Sequence, residues 1–333
     1  MRKALIIGLD NYTKIPPLKG CVNDAYEVKS VLEHHGDGKI NFADPRLVVS
    51  CEGSTVTKSE LKSLITELFA GEADIALLYF AGHGFSGATG GYLCAEDTSE
   101  GDDGLPISEV MILANKSKAK NKVIILDSCF SGEIANNPNF SAMAEIKEGT
   151  TILTAATADQ YAMENEDEGS SSSSGLFTSL LVDALRGSAT NLLGEITPGS
   201  VYAHIDQSLG PWSQRPVFKT NVQTFISLRN VAPLVELDDL RKLTVFFKRI
   251  DYQLPLDPSF EPDRNQEQID DPTIAAPDPE NMYIFELLQK FVKVNLVTPV
   301  GEKHMFYAAM NSKSCELTVL GQHYYKLIEK RLI

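Results

Sequence analysis

Two short segments carry side chains able to do covalent chemistry, ALLYFAGHG (76–84) and KVIILDSCFSG (122–132). Each is an apolar run of strand length closing in a small-residue turn, with His83 in the first turn and Cys129 in the second. Runs rich in Ile, Leu and Val and bounded by Gly read as fully buried strands of a parallel sheet. Reactive groups in open α/β sheets gather just beyond the carboxyl ends of the strands. Neighbouring strands would therefore present the imidazole and the thiol to one cleft, as a nucleophile and its base. In acyl transfer Cys129 would attack a carbonyl and form a thioester, while His83 relays the proton and protonates the leaving amine. The backbone N–H groups of Gly84 and Cys129 are the natural donors to the oxyanion. The pattern points to a cysteine hydrolase. A lone Cys is more often a small hydrophobe, and Cys51, Cys94 and Cys315 are read that way.

The elements that would position this pair alternate up to about residue 230. KALIIGLD (3–10), PRLVVS (45–50), 74–81, 122–127 and GTTILTAAT (149–157) read as strands. Helices are expected over about Asn23–His35, from Thr57 to Phe69 behind a Thr57/Glu60 capping box, over 107–118, over 175–187 with Gly187 closing it, and near 198–209. QRPVFKTNVQTFISL (214–228) alternates as a last, edge strand does. The order predicts a mostly parallel sheet with helices on both faces.

Composition is that of an ordinary globular chain, with 43% hydrophobic and 23% charged residues over 333 positions. A formal net charge of −15 argues against a protein devoted to nucleic acid. Five scattered cysteines without a CxxC pair make a disulfide framework or a zinc site unexpected and suit a reducing compartment. The opening apolar run is too short for a signal peptide, and no stretch reaches membrane-spanning length, so a cytoplasmic location and no membrane partner are expected.

Three domains are expected: 1–232, 233–280 and 281–333. AMENEDEGSSSSSG (162–175) reads as an exposed flexible loop, and 251–280, dense in Pro, Asp and Glu, places a linker in the second part. Residues 282–301 read as a helix and turn, and 304–333 as a hairpin and final amphipathic helix. CELTVLGQHYYKL (315–327) resembles the wing-to-last-helix junction of winged-helix domains. Residues 281–333 carry seven Lys/Arg against four Glu without an Arg-rich recognition helix, which favours a protein partner over nucleic acid there.

Strand–GHG at His83, strand–DSCFSG at Cys129, GCVNDA (20–25) and GLFTSLLVDALRG (175–187) together resemble the caspase-like peptidases, and among them the metacaspases and bacterial relatives, over about 1–230. Cys129 follows His83 by 46 residues, close to the caspase interval of about 50. The resemblance implies a caspase-like fold and a Cys–His endopeptidase acting on proteins. It implies no firmly required third catalytic member. Caspases prefer Asp and place an arginine after the nucleophile, where this chain has Phe130. Metacaspases instead line an acidic pocket for Arg or Lys, and the matching residues here are Asp24 and Asp127, with Cys21 beside them. Asp24 has a structural alternative, capping a helix that begins near Asn23. Ala81 replaces the Ser that metacaspases often carry two residues before the His, which removes one polar contact to the substrate. Many metacaspases need calcium. Glu96, Asp97, Asp102, Asp103 and Glu109 are plausible ligands here, but SEV (108–110) and Asn136 depart from the acidic pattern. The set is read as a solvated loop, so no cofactor or metal is expected, calcium being the one alternative.

Two functions follow. One is an Arg/Lys-specific endopeptidase of bacterial defence or cell death, of low basal activity until a protein partner binds residues 281–333. The other is a caspase-fold scaffold or regulator whose C-terminal module binds protein or nucleic acid.

Overall fold

In the computed structural model, which describes residues 1–87, 90–128, 146–155, 175–209, 215–223 and 225–333, the apolar runs build one sheet. The chain begins β1 (Arg2–Gly8), α1 (Cys21–Glu33), β2 (Arg46–Val49), α2 (Lys58–Phe69) and β3 (Ile75–Ala81). Three short strands follow, β4 (Gly84–Gly87), β5 (Gly90–Leu93) and β6 (Leu105–Pro106), then α3 (Ile107–Lys116) and β7 (Asn121–Asp127). Next come β8 (Thr150–Thr154), α4 (Leu176–Asp183), β9 (Glu195–Ile196), α5 (Pro198–Ser208), β10 (Val217–Asn221) and β11 (Arg229–Asn230). The sheet order is β10-β8-β7-β3-β1-β2. All pairs are parallel except β10 on β8, which forms an antiparallel edge.

Side-chain alternation along the central strands creates two cores. Leu5, Ile7, Leu78, Phe80, Ile124 and Leu126 face α2 and α3, whereas Ile6, Leu77, Tyr79, Ile125 and Leu153 face α1, α4 and α5. Ile6, Ile7, Leu77 and Leu78 are fully buried, each worth about 1.5–3 kcal/mol relative to exposure. A sheet covered on both faces explains why its strands read as unbroken apolar runs.

Local chemistry adjusts the expected boundaries. The Thr57 hydroxyl caps α2 by accepting from Glu60 N at 3.2 Å, but Lys58 N donates to Asp97 at 2.9 Å, from outside the helix. Helix α1 starts at Cys21 rather than Asn23, because the Asp10 carboxylate accepts from Cys21 N at 3.0 Å and Val22 N at 3.3 Å. Gly187, with φ 142°, lies in a π-turn after α4. The antiparallel β4–β5–β6 sheet lacks a sequence signal, since GFSG and GGYL contain no apolar run.

The chain divides into two compact units, Met1–Ala232 and Pro233–Ile333. The second contains α6 (Leu237–Arg241), α7 (Leu243–Phe246), β12 (Leu254–Pro255), α8 (Gln266–Asp270), α9 (Pro279–Lys293), β13 (Val297–Val300), α10 (Met305–Met310), β14 (Ser314–Leu317) and α11 (Val319–Glu329). Residues 233–280 belong to this unit instead of forming a separate connection. Leu240, Leu243, Phe247, Leu256 and Phe260 are buried, and β12 pairs with β14. The Asp and Pro residues that resemble linker composition act here as helix punctuation. Asp278 accepts from the first-turn N–H groups of Glu280 and Asn281, with Pro279 at the first helical position.

The hairpin expected within 304–333 is instead α10 and β14. Met305, Ala308 and Ala309 are buried at helical spacing, and β14 pairs antiparallel with β13 and β12, both earlier in the chain. The expected winged-helix arrangement is not assigned. Among the described residues no helix is long and apolar enough to cross a membrane.

Candidate active site

Three strands end at one level. Gly8 of β1 pairs with Ala81 of β3, and Ala81 with Asp127 of β7. The segments beyond them carry Asp10 to Cys21, His83, and Cys129. Cys129 and Phe130 lie outside the described residues, as do Asn136 and the loop 162–175 except for Gly175. His83 is fixed on both sides. Its N–H donates to the Tyr12 hydroxyl at 2.8 Å, the two rings lie 4.8 Å apart, and its Nε2 is 2.9 Å from the Pro16 carbonyl oxygen. A carbonyl only accepts, so Nε2 carries the proton and Nδ1 is left as the nitrogen for proton exchange. Pro16 thereby orients the imidazole through its backbone.

The loop bearing Pro16 is itself tied down. Leu18 N donates to Asp10 O at 2.9 Å, and Thr13 N to Glu96 O at 3.0 Å. Ser50 Oγ accepts from Asp10 N and Asn11 N at 2.9 and 3.0 Å while donating to the buried Glu96 carboxylate. Gly84 opens β4 opposite Leu93, and Cys94 N donates to His83 O at 3.0 Å. That bond makes Gly84–Leu93 a non-hydrogen-bonded pair, so the Gly84 N–H is turned away from β5.

The acidic residues converge. Asp24 is 3% exposed and lies in the first turn of α1, whose N-cap is Gly20 and not Asp24. Gly175 N donates to Asp24 Oδ2 at 3.2 Å. A Cβ on Gly175 would lie 3.1 Å from Asp127 Oδ2 and 3.3 Å from Asp24 Oδ2, so both carboxylates point at one spot. Burial raises the Asp127 carboxyl to about 6, against the lowering effect of the Thr178 hydroxyl and backbone N–H. The Cys21 thiol is raised above its ordinary range, first by burial and then by the fields of Asp10, Asp127 and Asp24. It stays neutral beside the two acids.

Helix α1 carries Asp24 and approaches β1 through Gly8. A Cβ there would fall 2.1 Å from Cys21 O and 2.7 Å from the Ala25 Cβ. Gly8→Ala is therefore expected to destabilise the protein by about 1–3 kcal/mol or more, as overpacking does. Thermal unfolding checks this, and an unchanged melting temperature would refute so close an approach.

The acids considered for calcium are otherwise engaged. Glu96 accepts from Ser50 and from Val56 N, Asp97 holds Lys58 N, Asp103 accepts from Ser99 N and Gly101 N, and Glu109 pairs with Lys62 at 2.6 Å. Asp102 is exposed. Among the described residues no group of three or more His, Cys, Asp or Glu side chains is placed to hold a metal. This donor set does not fit a calcium ion as arranged.

Asp10, Tyr12, Pro16, Tyr79, Gly175 and Thr178 join the site without having been singled out from sequence. Thr178 lies within the GLFT segment, a usable signal. Pro16 contributes only its backbone oxygen, which any residue type provides.

The parallel sheet thus sets the His83 segment and the segment leading to Cys129 beyond the ends of adjacent strands. The family model for the caspase domain matches residues 1–225, and the chain belongs to this family of cysteine peptidases. A comparison with curated proteins returns no match.

Proposed function

We propose that the protein is an endopeptidase that cleaves after Arg or Lys through Cys129 and His83. The convergence of Asp24 and Asp127 on Gly175 carries this reading. Two carboxylates at the base of a slot suit a guanidinium, which forms paired charge-assisted hydrogen bonds. The Cys129 thiol gives its proton to His83 Nδ1 and its sulfur adds to the scissile carbonyl. The Gly84 and Cys129 N–H groups stabilise the resulting oxyanion. His83 returns the proton to the departing amine, leaving a thioester. Water, deprotonated by His83, hydrolyses that thioester and restores the thiol. The Pro16 carbonyl keeps the imidazole in the tautomer this sequence needs. A role as a regulated defence or cell-death effector, activated by a protein bound through 281–333, is part of the proposal.

The test is a set of fluorogenic peptides differing only in the residue before the cut. Arg and Lys peptides are expected to exceed the Asp peptide by at least about thirtyfold, since a lost or repelled buried charge costs on the order of 2–5 kcal/mol. Preference for Asp would refute the pocket assignment. Absence of turnover on every peptide, with the partner present, would favour the scaffold reading.

A further inference from the structure

Behind Asp127 runs a buried hydrogen-bond chain. Thr178 Oγ1 donates to Asp127 Oδ2 at 2.6 Å, and the Tyr79 hydroxyl lies 2.6 Å from the same Thr178 oxygen. Tyr79 and Thr178 both have no solvent exposure. A threonine hydroxyl has one proton. With that proton given to Asp127, the Tyr79 hydroxyl must be the donor in the second bond.

We propose that Tyr79 and Thr178 are positioning residues for specificity: their chain fixes the Asp127 carboxylate and keeps it ionised, so that the pocket selects a cationic side chain. This rests on the pocket reading given above. Its necessity follows from what surrounds the carboxylate. From α1, Asp24 and Cys21 face Asp127, and from β3, Tyr79 does. Asp24 opposes a second negative charge, while Cys21 and Tyr79 are themselves held neutral by burial. Among the described residues no cation offsets this burial at Asp127. The hydroxyl and backbone N–H of Thr178, at the start of α4, supply the compensation instead. Donation from Tyr79 polarises the Thr178 hydroxyl and makes it a stronger donor. Thr178 also holds Oδ2 of Asp127, the oxygen that, like Oδ2 of Asp24, faces Gly175.

The experiment compares kcat/KM for an Arg peptide with that for its neutral citrulline counterpart in the full chain and in Thr178→Val, Thr178→Ser and Tyr79→Phe. A hydrogen bond to a charged group is lost in Thr178→Val, so the Arg/citrulline ratio is expected to fall about tenfold or more. Thr178→Ser restores it, and Tyr79→Phe gives a smaller fall. The acidic limb of the Arg-peptide profile moves to higher pH in Thr178→Val, because removing a donor to the carboxylate raises its pKa. Carboxyl-carbon NMR titration, with Asp127→Asn identifying the resonance, reads the same change without turnover and is expected to show a rise of about one pH unit. An unchanged ratio and titration in folded Thr178→Val overturns the proposal. If the parent protein shows no preference for Arg while the carboxyl titration still moves, the pocket reading fails and the specificity role falls with it. If Arg preference stands and the titration does not move, the chain alone is wrong. Should Thr178→Val not fold, Tyr79→Phe, which orphans no hydroxyl, decides the matter by the same two readouts.

Discussion

His83→Ala is expected to reduce peptide hydrolysis by about 10²–10⁴-fold, the range supplied by a positioned general acid–base, and Cys129→Ala to reduce it to background. The surroundings of the histidine suit this proposed task. Tyr12 takes its backbone N–H, Pro16 takes its Nε2 proton, and Glu96 with Ser50 fixes the loop that brings Pro16 there. Such an arrangement orients one ring nitrogen, as the proposed role requires. The cost to the fold is small. His83 is partly exposed, and its side chain gives up one hydrogen bond, worth about 0.5–1.5 kcal/mol net. Melting temperature should therefore move by only a few degrees in a unit of this size. Retained turnover in either folded variant would remove the catalytic assignment.

The central sheet was readable because burial on both faces writes a plain signal: four to eight apolar residues between turns. The strands that lead to His83 and end at Asp127 are of this kind. The short strands β4 and β5 are not, since their Gly-rich backbones hold their register through hydrogen bonds that leave no side-chain pattern. The second unit misleads for a related reason. Asp257, Asp278 and Pro279 suggest a solvated linker by composition, yet Asp257 caps a short 3-10 turn (Pro258–Phe260), Asp278 and Pro279 begin α9, and Leu256 and Phe260 on either side of Pro258 and Ser259 are buried. Asp24 and Asp127 are singled out by motif resemblance, and the fold brings their carboxylates together at Gly175. Tyr79 was hidden inside a strand where an aromatic residue is ordinary core, and Pro16 acts through an atom common to every residue.

The proposed acidic pocket implies a pH limit and a stability cost, which Asp127→Asn exposes together. Asp127 has an ordinary value of 3.8 and is raised to about 6 by burial. The folded protein therefore binds a proton at Asp127 more tightly than the unfolded chain does. Stability linked to this group is unaffected below pH 3.8, falls as pH rises through the interval, and is lowest above about 6. At about 1.4 kcal/mol per pH unit, the penalty is no more than about 3 kcal/mol, and part of the residue's surface remains open to solvent, which reduces it further. Asn keeps the shape and accepts from Thr178 while removing the charge. Asp127→Asn is thus expected to raise the melting temperature at pH 7.5 and to leave it nearly unchanged at pH 4. The same substitution is expected to lower Arg-peptide kcat/KM on the order of a hundredfold, since a buried guanidinium would lose one partner. In the parent protein Arg-peptide hydrolysis should decline as pH falls through about 6, where the carboxylate is protonated. Calorimetric melts at the two pH values and a pH–rate profile check all three results. A destabilised Asp127→Asn at pH 7.5 would show that the carboxylate serves the fold; stabilisation with loss of Arg turnover shows an acid kept charged for its substrate at the fold's expense.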